Sequence, residues 1–381
     1  MTKLVNLYDF DHKQLISYLT EHDIKSFHAG QIIKWLHRHF VTDIDQMTDL
    51  SKSLRKWLKE NTTLELPKIA LEKPSNDGTI KWLLKLKDGN LIETVFIPEE
   101  NRGTLCVSSQ VGCNLTCSFC STGTQGFSRN LDASEIIGQV RIACERLLAK
   151  KTNQRVTNVV MMGMGEPLLN FEPVVSAMSL MIGDLSYGLS KRKVTLSTSG
   201  VVPGIYKLKE ALPISLAISL HAPNDELRNI LVPINKKYPL NKLLESLHDY
   251  LKVSPHKEIV FEYVMIQEVN DSLEQAQELA KLLKNMPSKI NLIPFNPFPG
   301  TDYQRSSNNR IHRFKDLLIS KGFITTIRKT RGDDIDAACG QLVGEVKDRT
   351  TRQAKFKAKL KDKIKDKMQN KVFVKDIRIK A

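Results

Sequence analysis

From about residue 104 onward, short strand-like runs alternate with amphipathic helical periods, and this rhythm limits the possible folds more than any other feature of the chain. The strand-like runs are Thr104–Ser108, Asn158–Met162, Lys193–Ser197, Leu216–Leu220, Ile259–Met265 and Ile290–Pro294. Apolar residues at helical spacing fill the intervals, as in Ala133–Leu148, Leu240–Leu251 and Leu273–Leu283. Parallel strands need crossovers of a dozen or more residues, usually helices, so the pattern predicts an α/β fold of βαβ units. Six units can form an open sheet or a partial barrel, and periodicity does not choose between them. A last run, Gly322-Phe-Ile-Thr-Thr-Ile-Arg328, offers an edge strand ahead of Cys339.

The residues before this region read differently. About residues 8 to 62 predict helices, with Phe10, Leu15, Ile16 and Leu19 on one apolar face and Ile32, Ile33 and Leu36 on another. Thr79–Leu86 and Leu91–Ile97, separated by Asp88-Gly-Asn, predict a β-hairpin. The expected division is a helical accessory domain (1–70), a β-hairpin extension (71–103), the α/β region (104–340) and a basic C-terminal tail (341–381). The chain carries 57 Lys+Arg against 42 Asp+Glu, a formal charge of +15. Its last 41 residues hold 14 basic and 5 acidic side chains, so the tail supplies a surplus of nine. That balance suits a polyanionic partner, and nucleic acid fits better than a membrane surface because the tail lacks a large apolar face. No apolar run approaches the roughly 18 residues of a membrane span, and no signal-peptide core follows Met1, so a cytoplasmic protein is expected.

Six cysteines occur, at 106, 113, 117, 120, 144 and 339. Cys113-Asn-Leu-Thr-Cys117-Ser-Phe-Cys120 is a C-x3-C-x2-C triplet just past the first expected strand of the α/β region. Three thiolates can hold three irons of a cubane cluster and leave the fourth open to a ligand. A structural zinc site is the alternative, and it wants a fourth Cys or His, which the stretch between Cys120 and Cys144 lacks. Other candidates recur at the carboxyl ends of expected strands, where α/β folds place ligands. They are Gly165 and Glu166 in Met161-Met-Gly-Met-Gly-Glu-Pro, Ser197, then Ser219, Leu220 and His221, and Asn296. Any one of them alone reads as a cap or a tight turn; beside the cysteines they read as one site. Cys339 stands between Ala338 and Gly340, small neighbours that leave a thiol approachable, whereas Cys144 reads as a buried small apolar residue in a helix.

The triplet, with Phe119 before its last cysteine, resembles the signature of radical S-adenosylmethionine (SAM) enzymes. The resemblance implies a partial (βα)6 barrel and a [4Fe-4S] cluster on Cys113, Cys117 and Cys120 whose open iron takes the amino and carboxylate groups of SAM. It also implies SAM contacts from Gly165, Glu166, Ser197, Ser219, Leu220, His221 and Asn296. A longer resemblance, over nearly the whole chain, is to RNA methyltransferases of the RlmN/Cfr type, on the C2-directed side of that group. It rests on Ser75-Asn-Asp-Gly-Thr-Ile-Lys-Trp82, Glu93-Thr-Val-Phe-Ile-Pro98, Cys106-Val-Ser-Ser-Gln-Val-Gly-Cys113, Ser190–Gly200, Ser219-Leu-His-Ala-Pro-Asn-Asp225 and Arg331–Leu342. This family methylates C2 of an adenosine in 23S rRNA near the peptidyl-transferase centre and of the adenosine 3′ to the anticodon in some tRNAs. By this resemblance two SAM molecules serve each turnover. Cys339 carries the methyl group as S-methylcysteine, Cys106 resolves the RNA adduct through a transient disulfide with Cys339, and Glu93 matches the proton acceptor, though Cys106 could also take that proton. An electron donor such as flavodoxin and a monomeric state are also expected. Two alternatives are Cfr-like methylation at C8 and a non-catalytic iron–sulfur RNA-binding protein.

Overall fold

The computed structural model describes residues 4–150, 153–342, 348–352, 354, 355 and 358. Its centre is a ten-stranded sheet: β1 (Lys68–Pro74), β2 (Ile80–Lys85), β3 (Leu91–Glu99), β4 (Arg102–Cys106), β5 (Asn158–Met161), β6 (Val194–Thr198), β7 (Ser215–Ser219), β8 (Ile259–Met265), β9 (Ser288–Pro294) and β10 (Ile324–Ile327). Spatial order follows sequence order without exception. Strands β4 to β10 run parallel, each paired with the next, while β1 to β4 are antiparallel. Each expected strand of the α/β region is found within two residues of its expected limits, the edge strand included.

Helices close the parallel connections, as the crossover argument requires. They are α4 (Ala133–Ala149), α5 (Phe171–Ile182), α6 (Val202–Ala211), α7 (Asp225–Leu231) with α8 (Leu240–Leu251), α9 (Leu273–Leu282) and α10 (Asn308–Ser320). Six βα units followed by β10 make the (βα)6 arrangement. Residues from one face of the strands, among them Thr104, Val160, Thr195, Ala217, Val260 and Thr326, line one cavity of about 1690 Å³. A flat sheet cannot wrap one cavity in so many strands, so the sheet curls into a partial barrel with β10 at its open edge.

The hairpin extends the barrel's own sheet. Val95 pairs with Cys106 and Phe96 with Leu105, so β3 and β2 continue the barrel's own sheet. Strand β1 extends it further and has no counterpart in the sequence reading, because its residues are mostly exposed and carry no apolar alternation.

The N-terminal helices, preceding these, are α1 (His12–Thr20), α2 (His28–His37) and α3 (Lys52–Asn61). Asp11 and Gln14 form a capping box at the start of α1. Leu15, Leu19, Ile32, Ile33, Leu36 and Leu58 share one hydrophobic core with the barrel helices. Arg141 of α4 fixes the junction: nearly fully buried, it donates to the carbonyls of Leu36 (2.8 Å) and Phe40 (2.6 Å), to Glu145 (2.8 Å) and to the Tyr8 hydroxyl. Both Nη groups of the buried guanidinium are matched in this way, while its Nε has no partner among the described residues. Among the described residues, no helix is long and apolar enough to cross a membrane.

Candidate active site

The carboxyl ends of the parallel strands open on a cavity of about 980 Å³. The loop after β4 brings Cys113, Cys117 and Cys120 to its wall. A small ladder pins the base of that loop, with Gln110–Gly112 antiparallel to Phe127–Asn130 and the Cys113 amide donating to the Gly126 carbonyl at 2.8 Å. Burial, then the neighbouring cysteines, push the Cys113 thiol well above its usual value, and the same causes push Cys117 up to about 12. Burial also raises Cys120. A cationic group bound here would hold such buried thiols as thiolates. Among the described residues, no three of His, Cys, Asp and Glu close to the radius of a single metal ion. A cubane takes its thiolates at separate iron corners, and three cysteines on one cavity wall are donors of the kind it needs.

Opposite the cysteines stand the strand-end residues. Gly165 has φ +106°, and a Cβ there would lie 2.6 Å from the Gln110 Cβ, so a side chain is excluded on conformational and steric grounds. The buried Glu166 carboxylate accepts from the Ser199 amide at 2.8 Å and the Leu168 amide at 3.2 Å; burial raises its pKa while these bonds oppose the rise. Ser197 and Ser219 line the cavity. His221 takes φ +62° and its Nδ1 accepts from the Val264 amide at 3.0 Å, which leaves the proton on Nε2. Its ring meets Phe119 edge-on at 4.4 Å. Burial, reinforced by Arg228, lowers its pKa to about 3.

Leu220, expected beside them, turns its side chain into the core and is fully buried. Its amide donates to the Glu262 carbonyl and its carbonyl accepts from Arg228, and Leu220 is not among the residues that line the cavity. Asn296 lines the cavity and donates to the Cys339 carbonyl at 3.2 Å. Cys339 itself is exposed and lies on both this cavity and the barrel interior. Cys106, at the end of β4, is near enough that Cys339, after burial, helps raise its thiol to about 12. Both thiols are free.

Glu93 stands elsewhere. It lines an adjoining cavity of about 1000 Å³ with Lys81, Ser121, Asp336 and Gln341, behind the loop that carries Cys339. Lys81 and Glu93 form a buried ion pair at 3.2 Å, and the same ammonium donates to the Asp336 carbonyl at 3.1 Å. Two charged residues absent from the sequence reading also line the cluster cavity. Glu262 faces in from β8, and Arg328 follows β10, with 3.8 Å between their charged groups. A lone carboxylate within the apolar run Ile259–Met265 was the available signal for Glu262; nothing in the sequence around Arg328 marks its direction.

Residues 5–64 match the family described as ribosomal RNA large subunit methyltransferase N-terminal domain, and residues 107–283 match the radical SAM superfamily. The dual-specificity RNA methyltransferase RlmN of Francisella tularensis subsp. novicida (strain U112) is 59% identical over 357 residues, covering 92% of this chain and 96% of that protein. The homonymous protein of the subspecies mediasiatica (strain FSC147) is similar to the same extent. A crystal structure of a radical SAM methyltransferase from Sphaerobacter thermophilus superposes with a TM-score of 0.82 at 42% identity, covering 89% of this chain and 99% of that one.

Proposed function

The chain belongs to the RlmN family of radical SAM RNA methyltransferases, and from that premise we propose that it methylates C2 of adenosine in 23S rRNA and in tRNA through a cysteine-bound methyl group. The observation that carries this reading is the meeting of the three-cysteine loop with the exposed Cys339 on one cavity, with Cys106 close behind. C2 of adenine is electron-poor and does not displace a methyl group from SAM, so a stronger nucleophile must take it first. Cys339 is that nucleophile: its sulfur bonds the methyl carbon as the SAM sulfonium bond breaks. The Arg328 guanidinium stands close to Cys339, which is the largest influence raising it above its ordinary value.

Cys113, Cys117 and Cys120 would hold the [4Fe-4S] cluster, which would supply the electron for reductive cleavage of a second SAM to methionine and the 5′-deoxyadenosyl radical. Gly165, Glu166, Ser197, Ser219, Leu220, His221 and Asn296 would hold and orient SAM. A hydrogen atom passes from the Cys339 methyl group to the 5′-deoxyadenosyl radical, the remaining methylene carbon bonds to C2, and the electron left over would return to the cluster. The C2 proton passes to Glu93 or to Cys106. The Cys106 thiolate then attacks the Cys339 sulfur, the disulfide forms as the bond from that sulfur to the methylene carbon breaks, and the released carbon takes up a proton to become the methyl group of the base. Residues 1–70 and 341–381 serve RNA binding, residues 71–103 and 104–340 the site, in a cytoplasmic monomer reduced by a small electron donor such as flavodoxin.

Anaerobic turnover with an unmodified rRNA fragment and with tRNA, followed by nucleoside mass spectrometry, tests the reading. It requires 2-methyladenosine from both RNAs; 8-methyladenosine, or SAM cleavage without methylated RNA, overturns it. Cysteine variants test the carrier. Cys339→Ala gives neither protein-bound methyl nor product, whereas Cys106→Ala accumulates a protein–RNA adduct that survives denaturant. Normal turnover by Cys106→Ala would sink the resolving role.

A further inference from the structure

Composition assigns everything past Leu342 to a basic, RNA-facing tail, yet its described residues turn back onto the cysteine loop. The Ser121 amide donates to the Gly340 carbonyl at 2.8 Å and the Thr122 hydroxyl to the Leu342 carbonyl at 2.9 Å. Further on, the Arg349 amide donates to the Phe127 carbonyl at 3.0 Å, and the Asp348 carboxylate accepts from the Phe127 and Thr350 amides. Arg352 then places its guanidinium inside the loop. Nη2 donates to the Cys113 carbonyl at 2.6 Å, and Nη1 to the carbonyls of Leu115 (2.7 Å) and Gly123 (3.2 Å). Nε donates to the Thr350 hydroxyl at 2.9 Å, which fixes the plane of the fork. The preceding residue, Thr351, has φ +61°, a costly conformation for a β-branched residue that persists only where the surroundings hold it.

We infer that Arg352 is a positioning residue for the iron–sulfur cluster, closing the Cys113–Gly123 loop from both ends so that its three thiols are held in place. The bridged carbonyls bracket the ligands: Cys113 and Leu115 on one side of Cys117 and Cys120, Gly123 on the other. A planar fork can tie carbonyls from two directions at once, whereas the point charge of a lysine cannot. The tail therefore has two parts. Up to Arg352 it belongs to the cluster site, and the lysines from Lys355 onward remain for RNA.

The test uses full-length protein with its cluster reconstituted anaerobically, comparing the parent with Arg352→Ala and Arg352→Lys. Partners that orient metal ligands typically contribute 10- to 100-fold in metal affinity. Both variants are therefore expected to release iron to a chelator on the order of tenfold faster, with an altered electron paramagnetic resonance spectrum of the reduced, SAM-bound cluster and an unchanged melting temperature of the cluster-free protein. Iron release within twofold of the parent in Arg352→Ala overturns the inference, and so does parental behaviour of Arg352→Lys, which would leave only charge at work. If Arg352→Ala fails to fold, Thr350→Val, which removes the acceptor for Nε together with the hydroxyl's bond to Asp348 while keeping the guanidinium, reads the same geometry. Faster iron release there supports the clasp, and unchanged release overturns it.

Discussion

His221 holds its left-handed backbone because its ring is used on both sides, Nδ1 taking the Val264 amide and the ring edge meeting Phe119. A group whose pKa falls to about 3 stays neutral at physiological pH, so His221 can donate from Nε2 but does not shuttle protons. His37, buried beside Tyr8 and Tyr187, is lowered to about 3 by burial and by Arg141. For both, the folded value lies below the unfolded one near 6.5. Above that pH the shift costs nothing; below it the unfolded chain binds protons that the folded chain refuses, so stability falls with acidity, approaching about 1.4 kcal/mol per pH unit for each histidine. Denaturant unfolding of cluster-free protein between pH 7.5 and 5 is expected to show this decline, and His37→Gln to make it shallower. An identical slope in that variant would show that His37 is not the cause. Residues also mark what the sequence could reveal. The cysteine triplet was legible because ligand spacing is local, whereas Arg328 and the inward turn of Leu220 depend on which way a strand faces the cavity, and that follows from tertiary pairing.

Between elements, the turn at Ser75–Gly78 holds the loop that carries Cys339. Ser75 Oγ donates to Asp334 at 2.5 Å, the Asn76 amide to the same carboxylate at 3.2 Å, and the Gly332 amide to Asp77 at 3.1 Å. Arg331 adds an ion pair to Asp77 at 3.7 Å. Burial works against the Asp77 carboxylate, but hydrogen bonds from Thr79, Gly332 and Ser75 outweigh it and lower the pKa to about 2. Lys81 adds the tie from Glu93 to the Asp336 carbonyl. Asp77→Ala is therefore expected to slow RNA methylation on the order of tenfold by misplacing the carrier loop, consistent with the sensitivity of catalysis to small displacements. Cluster content should match the parent, and a parental rate would show that the loop needs no such latch. Lys81→Met should lower kcat more than it changes KM for RNA; an effect confined to KM would contradict a link between Glu93 and the Cys339 loop. The hairpin was legible from its alternation and its Asp88-Gly-Asn turn. Its union with the barrel was not, because the partner of Val95 is Cys106 on another strand, and apolar alternation fixes a strand's face without naming its neighbour.

Across the whole molecule, Arg141 locks the N-terminal helices to the barrel through one shared core, and Arg352 folds the start of the tail onto the cysteine loop. Rigid docking at one end leaves the other as the place where affinity for RNA can be altered without disturbing the site. From Lys355 to Ala381 the chain has 11 basic and 3 acidic residues, and nearly all of that stretch lies outside the described residues, as does most of the tail assigned to RNA from its charge. Each phosphate that a lysine or arginine neutralises releases condensed counterions and steepens the dependence of binding on salt, by about 0.9 in log–log slope on a duplex and about 0.7 on a single strand. If three or four of these side chains engage phosphates, deleting Lys355–Ala381 flattens the slope by about 3. At low salt the affinity should fall steeply, and near physiological salt much less. Because Arg352 remains, iron content and SAM cleavage without RNA should equal those of the full chain. Binding of tRNA and of the rRNA fragment, titrated from low to physiological salt for both proteins, decides the matter. A parallel pair of salt dependences would mean that the lysines stay solvated and that the grip on RNA lies elsewhere. Loss of the cluster on this deletion would mean that the boundary between clasp and tail lies beyond Arg352.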